Sequence, residues 1–191
     1  MSTTLKQLNL DKLRIVPYPD PVLKKTCAPV GEFGPDLKAL AERMLELMHE
    51  GKGVGLAAPQ VGVLIRLFVC NATGEPGDDL ICVNPRLVEL DGAEEKEEGC
   101  LSIPGVTVTM RRATDAVMEA CDTDGNPCRK TGKDLVARIW QHETDHLDGR
   151  LITDNVSMTD EIANRRALKQ LEADYAASRQ RGKKTRCASS S

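Results

Sequence analysis

The sequence predicts an α+β fold in which antiparallel sheets pack around a central helix, with one helix towards the N-terminus and another towards the C-terminus. Three segments place apolar residues at three- and four-residue steps, the spacing typical of amphipathic helices. Short strand-like segments lie between the first two of these helices, and turn-forming residues separate them. Because strands and helices do not alternate regularly, a doubly wound parallel sheet is not expected.

The first predicted helix begins at Pro35, after a proline-rich stretch that excludes a long helix before it. Its apolar residues recur with helical spacing and form one face, and Gly51 ends the helix. The members of this face are Leu37, Leu40, Met44, Leu47 and Met48. This apolar face predicts that the helix packs against the core.

The middle of the chain is predicted to consist of strands and hairpins. Residues 51–60 are too rich in glycine to predict a regular element. Apolar runs and alternating patterns predict strands at residues 65–70, 80–83, 86–90, 106–110, 116–121 and 128–130. The last two strands flank Asp-Thr-Asp-Gly-Asn, a sequence typical of a hairpin turn.

The C-terminal third predicts two helices and a tail. Residues 133–147 show helical spacing up to Gly149, and a last helix is predicted over residues 160–177. The apolar stripe of the last helix consists of Ile162, Leu168, Leu171 and Tyr175. The tail contains five basic residues and no acidic residue, and is predicted to be disordered. A chain of 191 residues suits one domain, so we predict a single domain over residues 1–178 and a basic tail over residues 179–191.

Composition and charge exclude several classes of function. Aromatic residues make up 3% of the chain, too few for the stacked platforms that bind single-stranded nucleic acids. The net charge is −3 with both signs mixed, which excludes a generally basic nucleic-acid binder and an acidic disordered chain. No apolar run predicts a membrane span, and no secretion signal accompanies the seven cysteines. We expect a cytoplasmic protein, and a processed organellar protein would share these features.

The strongest chemical signal is the sequence His-Glu-Thr-Asp-His at residues 142–146. Positions i and i+4 lie on one face of a helix, so His142 and His146 can bind one metal ion. Glu143 lies beside the first histidine and can reach a water molecule that such an ion activates. The alternative is a polar helix face that contacts solvent. We favour the metal site, which makes the central helix a metal-binding helix.

A catalytic metal site usually has three protein ligands and one open position, so a third ligand is required. Cys100 is the best remaining donor, because Gly99 before it and Ser-Ile-Pro shortly after it predict a bend. Arg112 is a candidate partner for Glu98, which would hold this bend. The residues alone leave two interpretations of Cys100 equally open, a metal ligand and a small buried apolar side chain.

The glycine-rich sequence from Gly53 to Gln60 is a third candidate element of a site. Glycines at 53 and 55 would allow close approach of a substrate to the backbone, and the side-chain amide of Gln60 is a potential donor. The segment is not a phosphate-binding loop, because the Lys-Ser/Thr pair after the last glycine is missing. By itself, the segment is weak evidence for a site, and the alternative is a simple connector.

Taken together, these three segments resemble the signature motifs of the peptide deformylase family in their order and spacing. The motifs are Gly-Val-Gly-Leu-Ala-Ala-Pro-Gln at 53–60, Glu-Gly-Cys-Leu-Ser at 98–102 and Gln-His-Glu-Thr-Asp-His-Leu at 141–147. Pro-Asp-Pro-Val-Leu-Lys at 19–24 also resembles the start of the family, with Lys24 where arginine is more usual. The resemblance spans residues 15 to about 155, and the three motifs in combination are highly specific.

The resemblance implies a metal-dependent hydrolase that removes the N-formyl group from the N-terminal formylmethionine of new polypeptides and releases formate. The domain over residues 1–178 would then be a peptide-deformylase-like catalytic domain. The metal ligands implied by position are Cys100, His142 and His146. The catalytic residues implied are Glu143 as general acid–base, with Gln60 and the backbone N–H of Leu101 as donors to the oxyanion. The substrate-binding residues implied are Gly55 for the peptide backbone, and Val54, Leu135 and Ile139 for the methionine pocket.

The resemblance also carries expectations about the cofactor and partners. It favours Fe²⁺ in the cell, while one cysteine and two histidines also suit Zn²⁺, Ni²⁺ or Co²⁺ in purified protein. The substrates would be N-formylmethionyl peptides. Because these are made on the ribosome, we expect weak ribosome contact through the last helix and the basic tail. We expect a monomer that does not associate with membranes.

Two other classes of function compete with this interpretation. A binding module with a structural metal would need a fourth protein ligand, for which Asp145 and Asp148 are the nearest spare donors. A zinc protease that shares only the helix motif would leave the other two motifs unexplained. Hydrolysis of formylmethionyl peptides, compared with acetylated and unmodified peptides, distinguishes the three.

Overall fold

The computed structural model describes residue 5 and residues 8–188, with side chains described as far as residue 181. Within these residues the chain forms three α-helices, which are α1 (Pro35–Glu50), α2 (Leu135–Leu147) and α3 (Met158–Ala188). Seven strands lie between α1 and α2. They are β1 (Gly55–Ala57), β2 (Leu67–Cys70), β3 (Leu80–Asp91), β4 (Glu94–Gly99), β5 (Thr107–Arg112), β6 (Asp115–Cys121) and β7 (Pro127–Lys133).

The strands form two antiparallel sheets. The larger sheet has five strands in the order β1-β2-β3-β6-β7, and the smaller sheet is the β4–β5 hairpin. All named strand pairs are antiparallel. The predicted α+β class is confirmed. Along the chain, α2 lies between the N-terminal helix α1 and the C-terminal helix α3.

The core consists of helices packed on both faces of the larger sheet. Helix α1 packs with Leu67 and Val69 of β2 on one face, and α2 packs with Phe68 and Cys70 of the same strand on the other. Since both faces are covered, all four residues of β2 are buried. Every residue of the predicted apolar face of α1 is buried. The smaller sheet packs against α3 in a third apolar cluster.

Three strand predictions were wrong in detail. Residues 80–83 and 86–90 form one strand, β3, which is irregular between Val83 and Arg86, where Asn84 has a φ of 50°. Residues 55–57 form the short strand β1 within a segment that we predicted to be irregular. Strand β4 was missed because its sequence, Glu-Glu-Lys-Glu-Glu-Gly, has low β-propensity.

The last helix is longer than predicted, since α3 continues to Ala188 beyond the predicted end at Ala177. Alanine, arginine, lysine and glutamine are good helix formers, which favours this continuation. Leu168 and Leu171 pack in the core as predicted, but Ile162 is 61% exposed. Residues 189–191 of the predicted tail lie outside the described residues, and the boundary at residue 178 stays a prediction. No helix in the described part of the chain is long and apolar enough to cross a membrane.

Candidate active site

Helix α2 brings polar side chains into the interior because its other face is anchored in the core. Trp140 is 2% exposed and packs against the larger sheet. One turn apart on the opposite side, His142 borders a cavity and His146 is 1% exposed. Burial lowers the pKa of His146 well below its usual range, so its imidazole is neutral, the form that binds metals.

Cys100 approaches α2 from the smaller sheet. Strand β4 ends at Gly99, and Cys100 begins the loop before β5, as the predicted bend required. A backbone hydrogen bond from Ile103 to the carbonyl of Cys100 closes a tight turn there. The sulfur of Cys100 lies 3.3 Å from Nε2 of His146.

The predicted metal ligands therefore meet in space. The sulfur of Cys100 and one nitrogen each from His142 and His146 all lie within 4.8 Å of one another. No other cysteine, histidine, aspartate or glutamate in the described part of the chain joins this group. A thiol and two imidazoles suit a first-row transition metal better than Mg²⁺ or Ca²⁺, which prefer oxygen. The donor set fits one such ion.

Glu143 lies beside this group and against the glycine-rich segment. A Cβ atom at Gly55 would lie 2.8 Å from Cδ of Glu143 and in still closer conflict with its Oε1. Oε2 of Glu143 is buried without a hydrogen-bond partner among the described residues. Burial raises the pKa of Glu143 to about 7. A carboxyl group of this kind can hold or release a proton near neutral pH.

Gln60 is fixed by hydrogen bonds on both ends of its amide. Its Oε1 accepts from the backbone N–H of Ala57 at 2.8 Å, and its Nε2 lies 3.4 Å from both Cys100 Sγ and Ser102 Oγ. The side chain is 1% exposed and occupies a short 3-10 helix that follows β1. The amide donor thus points towards the cysteine of the site.

Glu98 orients one of the histidines. Nδ1 of His142 lies 3.0 Å from Oε2 of Glu98, so its Nε2 is directed towards the other donors. Arg112 donates two parallel hydrogen bonds of 2.9 Å to the same carboxylate, which confirms the suggested pairing. Burial by itself would raise the pKa of Glu98, but the bonds from His142 and Arg112 outweigh it and hold the pKa at about 2.

Sequence reasoning missed Arg138 as a member of this polar group and did not pair Asp145 with Arg112. Arg138 donates to Glu98 at 2.7 Å, and Asp145 accepts from Arg112. Arg138 precedes His142 by one helical turn, which was the available signal for its position on the same side of α2. Asp145 and Asp148 do not join the metal-ligand group; Asp148 pairs instead with Arg66 at 2.8 Å.

An open cavity of about 640 Å³ lies in front of these groups. The two rim residues Val54 and Leu135 are 45% and 47% exposed, whereas Ile139 is 4% exposed in the wall. The structure thus places the three predicted methionine-pocket residues on one cavity. The other predicted site residues that line it are Gly55, Gln60, Cys100, Leu101, His142 and Glu143.

A pair of histidines and a cysteine around one point, beside a buried carboxyl group and an open cavity, define a metal-dependent hydrolase. Residues 12–161 match the family described as polypeptide deformylase. A peptide deformylase from Acidobacterium capsulatum is 41% identical over 145 residues, covering 75% of this chain and 85% of that protein. Peptide deformylase 1B, chloroplastic/mitochondrial, from Arabidopsis thaliana is 39% identical over 168 residues, covering 85% of this chain and 61% of the relative.

Solved structures agree with the sequence comparison. A peptide deformylase from Plasmodium falciparum superposes with a TM-score of 0.83 at 36% identity, covering 86% of this chain and 98% of the other. One from Legionella pneumophila gives a TM-score of 0.80 at 39% identity, again covering 86% of this chain and 98% of the other. The chain belongs to the peptide deformylase family. It is an enzyme that removes the N-formyl group from the N-terminal formylmethionine of newly synthesised polypeptides.

Proposed function

We propose that Cys100, His142 and His146 hold one divalent metal ion and that Glu143 is the general acid–base of deformylation. The observation that carries this proposal is the convergence of the three donor atoms within 4.8 Å of one another beside a buried carboxyl group. When bound, the metal supplies an activated water nucleophile and polarises the formyl oxygen. A group of three protein donors leaves a position open for the substrate.

Glu143 moves the proton in this mechanism. The water oxygen adds to the formyl carbon while Glu143 takes up the water proton, and the C–N bond then breaks with transfer of that proton to the leaving nitrogen. The products are formate and a free N-terminal amine. The pKa of about 7 supports this role, since the group can accept and then return a proton near neutral pH.

The remaining site residues stabilise charge and bind the peptide. Gln60 Nε2 and the backbone N–H of Leu101 donate to the oxygen that becomes negatively charged. Gly55 offers its backbone to the peptide, and Val54, Leu135 and Ile139 form the wall for the methionine side chain. Their position on one cavity supports these assignments.

Exchange of Glu143 for glutamine tests the mechanism. Glu143→Gln keeps the size of the side chain but cannot accept the proton, so kcat is expected to fall by at least about 10²-fold. Metal content and thermal stability should stay near those of the parent. His142→Ala should instead lose both metal and activity. Near-parent deformylation by metal-loaded Glu143→Gln would contradict the assigned general base.

Fe²⁺ is the proposed metal in the cell, and the same ligands can hold Zn²⁺, Ni²⁺ or Co²⁺ in purified protein. A thiolate ligand beside an iron centre is open to oxidation, so activity of the iron form should decay in air. Metal analysis of anaerobically purified protein, together with the deformylation assay, measures this. A zinc-only anaerobic preparation with full activity would contradict the proposal.

The enzyme is further proposed to be a cytoplasmic monomer that contacts the ribosome weakly through α3 and the basic residues after position 178. The sequence after residue 178 carries five basic and no acidic residues, which favours salt-sensitive attraction to RNA phosphates. Deletion of residues 179–191 should weaken co-sedimentation with ribosomes at low salt and leave turnover of small formyl peptides intact. Unchanged co-sedimentation would exclude the tail as a contact.

A further inference from the structure

The β4–β5 hairpin carries Cys100 in its connecting loop. The strand before this loop, β4, has no apolar side chain that could pack in the core. Strand β4 consists of glutamate, lysine and glycine only, and Glu98 is its one buried residue. Strand β5 contributes Val108 to the third apolar cluster, which includes α3 residues. Cys100 and the loop residues Ile103 and Val106 also pack in this cluster, whereas β4, which leads into Cys100, is joined to α2 by polar contacts.

Arg138 of α2 makes such contacts with both strands. Its Nη2 donates to the backbone carbonyl of Glu94 in β4 at 2.8 Å. Its Nη1 donates to the backbone carbonyl of Met110 in β5 at 3.0 Å and to Oε1 of Glu98 at 2.7 Å. The residue is 7% exposed, so these bonds are protected from water.

Arg112 cannot replace Arg138 in this position. It belongs to β5 itself, and its paired bonds to Glu98 remain within the hairpin. Its link to α2 is the ion pair with Asp145, whose side chain is 22% exposed and is shared with Arg150. Arg138, by contrast, starts on α2 one turn before His142 and binds the backbone of the hairpin.

We propose that Arg138 is a positioning residue that helps to fix the β4–β5 hairpin, and with it Cys100, within reach of a metal ion held by the two histidines. The planar guanidinium presents several donors in a fixed geometry, so one side chain can hold two carbonyls and a carboxylate together. This inference rests on the proposed ligand set. It adds a residue that contacts none of the three donor atoms and yet determines whether the thiolate reaches the metal.

The test uses Co²⁺-loaded protein, in which a coordinated thiolate gives a ligand-to-metal absorption band in the near ultraviolet. Arg138→Met should show a weaker thiolate band and release Co²⁺ to a chelator faster than the parent, because removal of a group that supports a metal ligand typically lowers metal affinity by about 10–100-fold. Arg138→Lys keeps the charge but loses the planar set of donors. Its thiolate band and its Co²⁺ release rate should lie between those of the parent and Arg138→Met. Arg111→Met, on the exposed face of the same hairpin, is the matched control and should match the parent.

The outcomes separate the inference from the ligand proposal. Absence of the thiolate band in the parent would reject Cys100 as a ligand and with it the premise. A parent-like band and release rate in Arg138→Met would overturn the role of Arg138, even with a lowered thermal midpoint, because that combination describes a purely structural residue. If the methionine variant does not fold, Arg138→Lys decides, and release at the parent rate would overturn the inference.

Discussion

At the scale of single residues, the carboxyl group of Glu143 fills the space that a side chain at Gly55 would need. Glu143 fits its position because residue 55 has no side chain, as the distance of 2.8 Å from a Cβ at Gly55 to Cδ of Glu143 shows. Both residues are buried, so neither can move into solvent to relieve a clash. The glycine therefore has a steric role in addition to its proposed contact with the peptide.

Gly55→Ala is expected to displace Glu143, lower kcat at least about tenfold and lower the free energy of unfolding by about 1–3 kcal/mol. In a Glu143→Ala background the added methyl group meets free space, so the same substitution should cost far less stability. Urea unfolding of the four proteins forms a double-mutant cycle that measures this coupling. Equal losses of stability in both backgrounds would show that the clash is not with Glu143.

The candidate site could be predicted from the sequence where chemistry and local spacing suffice. His142, Glu143 and His146 lie within five consecutive positions, so the helix repeat alone places them together. Cys100 needed the resemblance, because its distance from the histidines depends on how a hairpin packs against α2. Arg138 was missed, and Asp145 was not paired with Arg112, because the partners Glu98 and Arg112 are more than thirty positions away in sequence.

At the scale of elements, β7 and α2 pack so closely that a glycine is required between them. A Cβ atom at Gly132 would lie 2.7 Å from Cγ1 of Val136 and 2.8 Å from Cζ3 of Trp140. Trp140 is 2% exposed and cannot turn away without disturbing the core behind the metal-binding helix. The glycine allows the strand to approach the helix that carries His142.

Gly132→Ala is therefore expected to lower the free energy of unfolding by about 1–3 kcal/mol through overpacking. Gly31→Ala is the matched control, since a Cβ atom there meets nothing within 4 Å, and it should stay within about 0.5 kcal/mol of the parent. Thermal or urea unfolding measures both. Parent-like stability of Gly132→Ala would show that Trp140 and Val136 give way at little cost.

Element prediction succeeded where apolar spacing is strong and failed where tertiary contacts decide. The apolar repeat of α1 and its ends at Pro35 and Gly51 were predicted correctly. Strand β4 could not be predicted from the sequence, because its residues have low β-propensity. Pairing with β5 and the hydrogen bond from Arg138 hold it as a strand, and both depend on residues distant in sequence. Strand β3 was divided in two at Pro85, although the irregular pairing beside it accommodates the missing N–H.

At the scale of the whole molecule, three thiols are buried in the apolar cluster between the larger sheet and α2. Burial raises the pKa to about 11 for Cys27, to about 12 for Cys70 and well above the usual range for Cys82. In the unfolded chain each thiol ionises near its ordinary value of 9.0. Above that pH the unfolded state loses protons that the folded state keeps, so alkaline conditions favour unfolding.

These buried thiols are therefore expected to leave the free energy of unfolding unchanged below about pH 9. Above that pH, they are expected to lower it. Each thiol that ionises only in the unfolded chain contributes a slope of about 1.4 kcal/mol per pH unit. Cys82→Ala should show a shallower decline between about pH 8 and pH 10.5 in urea unfolding. Val83→Ala, a buried non-titrating neighbour, should keep the slope of the parent. A slope in Cys82→Ala as steep as in the parent would contradict this account.

The polar groups around α2 also constrain how the sequence can change. Alternating guanidinium and carboxylate groups form a connected series of ion pairs. It begins just before β2, passes through the smaller sheet and ends on α2, in the order Arg66, Asp148, Arg150, Asp145, Arg112, Glu98 and Arg138. Replacing Glu98 by an apolar residue removes the carboxylate that pairs with the buried Arg138, at a cost of about 3–5 kcal/mol, whereas replacing a charged pair together by apolar residues is often neutral. In the buried part of the series, around Glu98, Arg112 and Arg138, a single substitution during evolution would give a less stable intermediate sequence. Related sequences should therefore differ there by coordinated exchanges of partners.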